Sequence, residues 1–239
     1  LYKRYGADIE FVGHPLVDTV RPGLPRAEAE ALAGKRPGHP LILLLPGSRP
    51  MEIQRLLPVM LGAARILKDR HPDFDFVLPR ASTIPQETLR QAVDQVGLEV
   101  TITNGGTYDI MSVADFAIAT SGTVTLEAAL CGLPCVILYK SSPLSFWIAK
   151  HVVEIPHIGL PNIVAGRLIE PELLQDQCTP EQVADTTEAL LEPTCYARLK
   201  ADLAETRARL GEPGAVQRVA DLVLRVAAQG KTRRLHESV

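Results

Sequence analysis

Ser121, Gly122, Thr123 and Glu127 are of types, and at spacings, that can hold a phosphorylated ligand. The apolar run Phe116-Ala117-Ile118-Ala119 ahead of them reads as a strand buried on both faces. A small-residue turn follows, then a helix that stops at Gly132, with Pro134 just beyond. Strand, Ser-Gly-Thr turn and helix point unpaired backbone N–H groups and a positive helix end at an anion. Thr123 and Glu127 lie four apart and share a helix face. That face carries a hydroxyl near the phosphate and a carboxylate one turn on, within reach of a ribose hydroxyl pair. An ordinary capped helix is the bland alternative, but a capping box needs Glu or Gln three residues after the cap, which Glu127 does not satisfy.

A second junction of this kind follows Leu41-Ile42-Leu43-Leu44-Leu45, a strand without alternation. It ends in Pro46-Gly47-Ser48-Arg49, and Pro50 suits the first helical position. Ile53, Leu56, Leu57, Met60, Ala64 and Leu67 then form one apolar helical stripe. The Arg49 guanidinium can neutralise a diphosphate in fork geometry. A cation at a helix start opposes the helix dipole, which favours an anionic partner over a plain surface role.

These junctions need a sheet to hold them. Strands are expected at 9–12, 41–45, 74–79, 98–103, 116–119 and 135–139, and helices at 85–96 and 108–113. The β-α alternation implies right-handed crossovers, a parallel sheet and loops gathered at its C-terminal edge. Residues 21–40 are rich in proline and glycine and read as a connector, although Arg26–Ala33 could form a helix. His14, beside Pro15, is either catalytic or a turn residue satisfied locally. Residues 143–153 read as a helix carrying the only Trp, residues 157–167 as an irregular loop, and the chain from 171 to 229 as helical. Helical breaks are expected at Pro180, Pro193 and 211–214, and residues 231–239 read as a frayed tail.

The chain has 239 residues, of which 46% are hydrophobic and 22% charged, the composition of a globular protein with a sizeable core. A net charge of −3 argues against a nucleic-acid partner. The four cysteines form no CxxC pair and read as reduced and structural, with no zinc site. The absence of GxGxxG after the first strand weakens a dinucleotide oxidoreductase, and the absence of GxxxxGK[ST] excludes a standard P-loop. No GxSxG elbow supports a serine hydrolase.

In this order, FVGHPLVD, LLPGSRPMEI, ATSGTVTLEAAL with CGLPCVILYK, SFWIAK and GLPNIVAGR resemble the lipid-A-disaccharide synthase family, two-domain GT-B glycosyltransferases of Gram-negative bacteria. The resemblance runs from about Tyr5 to Ala228. It implies an α/β fold: a parallel, Rossmann-like C-terminal domain of a GT-B enzyme, followed by C-terminal helices. Residues 1–40 would then end the N-terminal domain and connect it, 41–192 would form the UDP-sugar domain, and 193–230 the closing helices. It implies transfer of 2,3-diacylglucosamine from its UDP-activated donor to 2,3-diacylglucosamine 1-phosphate, giving lipid A disaccharide 1-phosphate and UDP. Such an enzyme needs no metal and no cofactor, and is peripheral to the cytoplasmic face of the inner membrane; a homodimer is compatible with it. Carried onto this chain, Gly47, Ser48, Arg49, Ser121, Gly122 and Thr123 would hold the diphosphate, Glu127 the ribose, and Asn162 would sit near the donor sugar or phosphate. The chain begins at Leu1 and is expected to be the donor-binding half, with the base in the N-terminal half and His14 the one candidate within it. Competing expectations are another GT-B UDP-sugar enzyme, such as a UDP-N-acetylglucosamine 2-epimerase or a peptidoglycan-pathway transferase, and a non-catalytic nucleotide-binding module.

Overall fold

The computed structural model describes residue 6 and residues 9–142 and 156–236. Six parallel strands form one sheet in the order β3-β2-β1-β4-β5-β6. They are β1 (Leu41–Leu45), β2 (Asp75–Arg80), β3 (Thr101–Asn104), β4 (Phe116–Thr120), β5 (Cys135–Tyr139) and β6 (Glu172–Leu174). β1 pairs with β2 through Ile42 and Phe76, and with β4 through Leu44 and Ile118.

The unalternating apolar strands are explained by helices on both faces. Successive side chains of a strand point to opposite sides, so a strand covered twice must be apolar throughout. Ile42 and Leu44 of β1 enter one core with Phe116 and Ile118 of β4 and Val136 and Leu138 of β5. Leu41, Leu43 and Leu45 enter the other with Ala117, Ala119 and Ile137. The first face is covered by α3 (Pro50–Arg70), whose stripe of Ile53, Leu56, Leu57, Met60, Ala64 and Leu67 is buried, and by α4 (Gln86–Val96) and α8 (Pro180–Leu191). The second face is covered by α2 (Arg26–Ala33), α5 (Thr107–Val113) and α6 (Thr123–Leu130). Within residues 21–40, α2 thus adds Ala29 and Ala33, both fully buried, to the core.

Four local expectations are corrected. Residues 9–12 form no strand: Ile9 and Phe11 are exposed, and the Val12 carbonyl accepts from Arg218 Nε at 2.8 Å. This run lies against Gly211 and the last helix, where no sheet edge offers it a ladder. Within 157–167, read as a loop, α7 (Leu160–Ala165) is a helix that starts with Pro161 in its first turn and stops at a left-handed Gly166. The stretch from 171, read as helical, opens with β6 pairing with β5, Ile137 opposite Glu172. Three residues carry too little periodicity to announce a strand; the free edge of β5 decides it. The third expected strand begins at Thr101 rather than 98. Breaks at Pro180, Pro193 and 211–214 separate α8, α9 (Pro193–Arg209) and α10 (Ala215–His236), the last continuing past 229. All four cysteines are free. The expected helix at 143–153, with SFWIAK, lies outside the described residues.

Candidate functional site at the strand-order reversal

From β1 the sheet proceeds outward to β2 and β3, and from β4 in the other direction to β5 and β6. The loops after β1 and β4 therefore diverge, and the gap between them is where ligands bind in open parallel sheets. A crevice of about 880 Å³ opens there, lined by Gly47, Ser48, Arg49, Ser121, Gly122, Thr123 and Glu127. The two junctions read from the sequence thus meet in one place.

Gly47 has φ +109°, in the region that favours glycine, and a Cβ there would collide with the Glu52 side chain. Glu52 needs that space. Its Oε2 accepts from the N–H groups of Ser48 at 3.0 Å and Arg49 at 3.2 Å, and its Oε1 accepts from Arg49 Nη1 at 2.9 Å. A glutamate three residues into α3 reaches back to the backbone before it, as in half of a capping box. Arg49 is therefore ion-paired within the chain, although its side chain is 81% exposed at the crevice mouth. Sequence reasoning did not select Glu52, although its place three residues after Arg49 is the spacing of a capping box.

At the second junction, the Ser121 N–H donates to Leu138 O at 2.8 Å and its hydroxyl to Ile158 O at 3.0 Å. Thr125 Oγ1 donates to Gly122 O at 2.8 Å. The N–H groups of Gly122, Thr123 and Val124 have no acceptor among the described residues, as expected of a helix start that faces a ligand. One turn on, Glu127 is half-buried in the crevice wall. Burial pushes its carboxyl above the usual range, and a hydrogen bond from Tyr108 opposes that rise.

Tyr108, Asp109 and Arg21 also line the crevice, and sequence reasoning did not select them. Asp109 Oδ1 accepts from Gly23 N at 2.6 Å and Leu24 N at 2.8 Å, which fastens the 21–24 turn and brings Arg21 to the mouth. These residues meet only across 86 positions of chain, so no local spacing marks them.

Two expected site residues are not among those that line the crevice. Asn162 does not line the crevice. It is fully buried, its Oδ1 accepting from Ile169 N and Glu170 N at 2.8 and 2.9 Å, its Nδ2 donating to Glu170 O at 2.8 Å and Glu172 Oε1 at 2.7 Å. All its hydrogen-bonding positions are used within the protein, so it can act on a ligand only through the backbone it holds. His14 is also away from the crevice. Its ring Nδ1 accepts from Leu16 N at 3.2 Å and its backbone N–H donates to Leu210 O at 2.9 Å, the contacts of a turn residue satisfied locally.

The sequence model of the lipid-A-disaccharide synthetase family matches residues 1–226. The chain belongs to this family. It is 44% identical over 224 residues to the lipid-A-disaccharide synthase of Geobacter sulfurreducens, covering 93% of this chain and 58% of that protein. It is 42% identical over 233 residues to that of Geobacter metallireducens, covering 97% and 60%. The chain therefore spans 58–60% of the length of these relatives. The synthetase-family sheet superposes on solved structures of much lower identity. One is the UDP-GlcNAc 2-epimerase from Neisseria meningitidis bound to UDP-GlcNAc, with a TM-score of 0.60 and 15% identity over 90% of this chain and 54% of that one. Another is Anabaena HepE in complex with UDP-glucose, with a TM-score of 0.56 and 16% identity over 88% and 55%. The fold is the α/β fold of GT-B glycosyltransferases and epimerases. No helix among the described residues is long and apolar enough to cross a membrane.

Proposed function

We propose that this chain is the donor-binding part of a lipid-A-disaccharide synthase. The observation that carries the reading is the crevice between β1 and β4, with three unpartnered N–H groups and an arginine at one end and the half-buried Glu127 at the other. A nucleoside diphosphate has a matching layout, an anion at one end and a ribose diol at the other. In this reading the N–H groups of Gly122–Val124 and the guanidinium of Arg49 take the diphosphate, with Gly47 and Ser48 shaping the turn. Glu127, held by Tyr108, accepts from the ribose hydroxyls. Arg21 adds a second guanidinium at the mouth.

The donor is UDP-2,3-diacylglucosamine and the acceptor 2,3-diacylglucosamine 1-phosphate. The acceptor hydroxyl attacks the anomeric carbon with inversion as the bond to the UDP oxygen breaks. Negative charge grows on the leaving diphosphate, and groups already aimed at it lower the barrier. The family match supports this substrate pair over the epimerase and over a binding module; in this reading the work is done at the cytoplasmic face of the inner membrane, with a homodimer compatible.

The attacking hydroxyl also needs a base. Of the crevice carboxylates, Glu52 is engaged by Arg49 and two N–H groups, Asp109 by two N–H groups, and Glu127 by Tyr108. This chain alone is therefore expected to form no disaccharide from donor and acceptor; disaccharide formed by it would place the base among these residues. The donor reading itself is tested by calorimetry with UDP, UMP and uridine. Affinity is expected to rise with each phosphate. Equal affinity for all three would refute it.

A further inference from the structure

We infer that Glu172, on the edge strand and outside the crevice, is a positioning residue for the phosphate-facing turn. This rests on the nucleotide reading of the crevice and adds a residue to it.

The Glu172 carboxylate accepts from Ile158 N at 3.0 Å, Gly159 N at 2.9 Å and Asn162 Nδ2 at 2.7 Å. One side chain on β6 thus holds the segment entering α7 by two successive backbone N–H groups. Asn162 supports it from below, tying the same helix to the backbone at 169–170. The segment so held is a crevice wall, because Ile158 and Leu160 both line it. The Ile158 carbonyl accepts the Ser121 hydroxyl at 3.0 Å. Glu172 is therefore two links from the turn that presents the N–H groups of Gly122–Val124. Gly159 leaves room for this arrangement: it is buried, and a Cβ on it would collide with Ile137 and sit 3.2 Å from Glu172 Oε1.

Charge and position make opposite predictions here. A carboxylate near a phosphate site repels the ligand, so its neutralisation by Glu172→Gln would tighten UDP if charge were all that mattered. If Glu172 holds the wall, the same change leaves one oxygen for Gly159 N and Asn162 Nδ2 but turns an amide N–H onto the Ile158 N–H that Oε2 accepts, loosens the Ile158–Leu160 segment and weakens UDP. The effect should fall mainly on the phosphate end, since the Ile158 carbonyl holds Ser121 directly whereas the Glu127 carboxyl is held by Tyr108.

The test measures UDP and uridine binding to the whole chain by calorimetry, for wild type and Glu172→Gln, with circular dichroism confirming the fold. Glu172→Gln is expected to weaken UDP about tenfold and leave uridine unchanged. Unchanged or tighter UDP binding would overturn the inference, as would an equal loss for both ligands, which is the mark of a merely structural role. If Glu172→Gln does not fold, Gly159→Ala disturbs the same segment from the other side: its φ of −76° suits alanine, and its Cβ would displace Ile137 and press on Glu172 Oε1 from 3.2 Å. The same selective loss is expected, and wild-type UDP affinity would overturn the inference. A wild-type chain with equal affinity for UDP and uridine sinks the nucleotide reading itself. A wild-type chain that prefers UDP, with unaffected variants, sinks only the role of Glu172.

Discussion

Replacing Glu170 by glutamine should reverse the sign of its effect on stability between acid and mildly alkaline pH. Glu170 is fully buried between β5 and α7. Its Oε1 accepts from Cys135 N at 2.8 Å, while Oε2 has no partner. With Cys135 the carboxyl's only hydrogen-bonding neighbour among the described residues and no cation beside it, burial pushes it from 4.5 up to about 8. The unfolded chain releases this proton near 4.5, but the folded chain keeps it until about 8. Between those values the unfolded state binds fewer protons, so stability present at pH 4.5 is lost as pH rises, and the loss is complete above the folded value. The window corresponds to about 3–5 kcal/mol. Glutamine has the same shape and does not titrate, but it puts amide hydrogens where Oε2 lacks a partner, a penalty of about 1–3 kcal/mol. Glu170→Gln should therefore be the less stable protein at pH 5 and the more stable one at pH 8.5. Urea unfolding of both proteins at the two pH values measures this. Cys135 does not confuse the result, because burial holds its thiol well above its usual range. A stability difference that stays constant with pH would refute the reasoning.

Glu127→Ala should weaken UDP by about 1–3 kcal/mol, the scale of hydrogen bonds to a charged group, and leave a phosphate-only ligand such as pyrophosphate unaffected. Because the Glu127 carboxyl titrates above its ordinary value, UDP affinity of the wild type should fall as pH drops through the region above 4.5, and Glu127→Gln should flatten that profile in calorimetry. Arg49→Lys, in an enzyme completed with the N-terminal half of a relative, should lower kcat more than it raises KM, since a point charge cannot replace a fork on the departing diphosphate. A rise in KM with kcat intact would restrict Arg49 to ground-state binding. Gly47→Ala should destabilise the fold by about 1–3 kcal/mol in thermal or urea unfolding, through its left-handed backbone and the displaced Glu52. A neutral outcome would show that Glu52 moves aside freely.

The sheet and the two phosphate-facing junctions were legible in the sequence because their signals are local. Unbroken apolar runs at 41–45, 116–119 and 135–139 mark strands covered on both faces, and Gly47, Gly122 and the prolines mark where chain direction changes. The four-residue step from Thr123 to Glu127 is likewise a property of any helix, and both residues do line the crevice. The motif order also carried the family. What only the tertiary structure decided involves partners far apart in the chain. Glu172–Leu174 became a strand because β5 had a free edge, and residues 9–12 did not because none was near. Asp109 reaches Gly23 and Leu24, and Tyr108 reaches Glu127, only once the sheet has stacked α5 beside α6. Asn162 sits in a motif that suggests ligand contact, yet the fold buries it and uses every hydrogen-bonding position it has. Residue type and spacing tell what a side chain can bind; which of its partners arrives first is decided by packing.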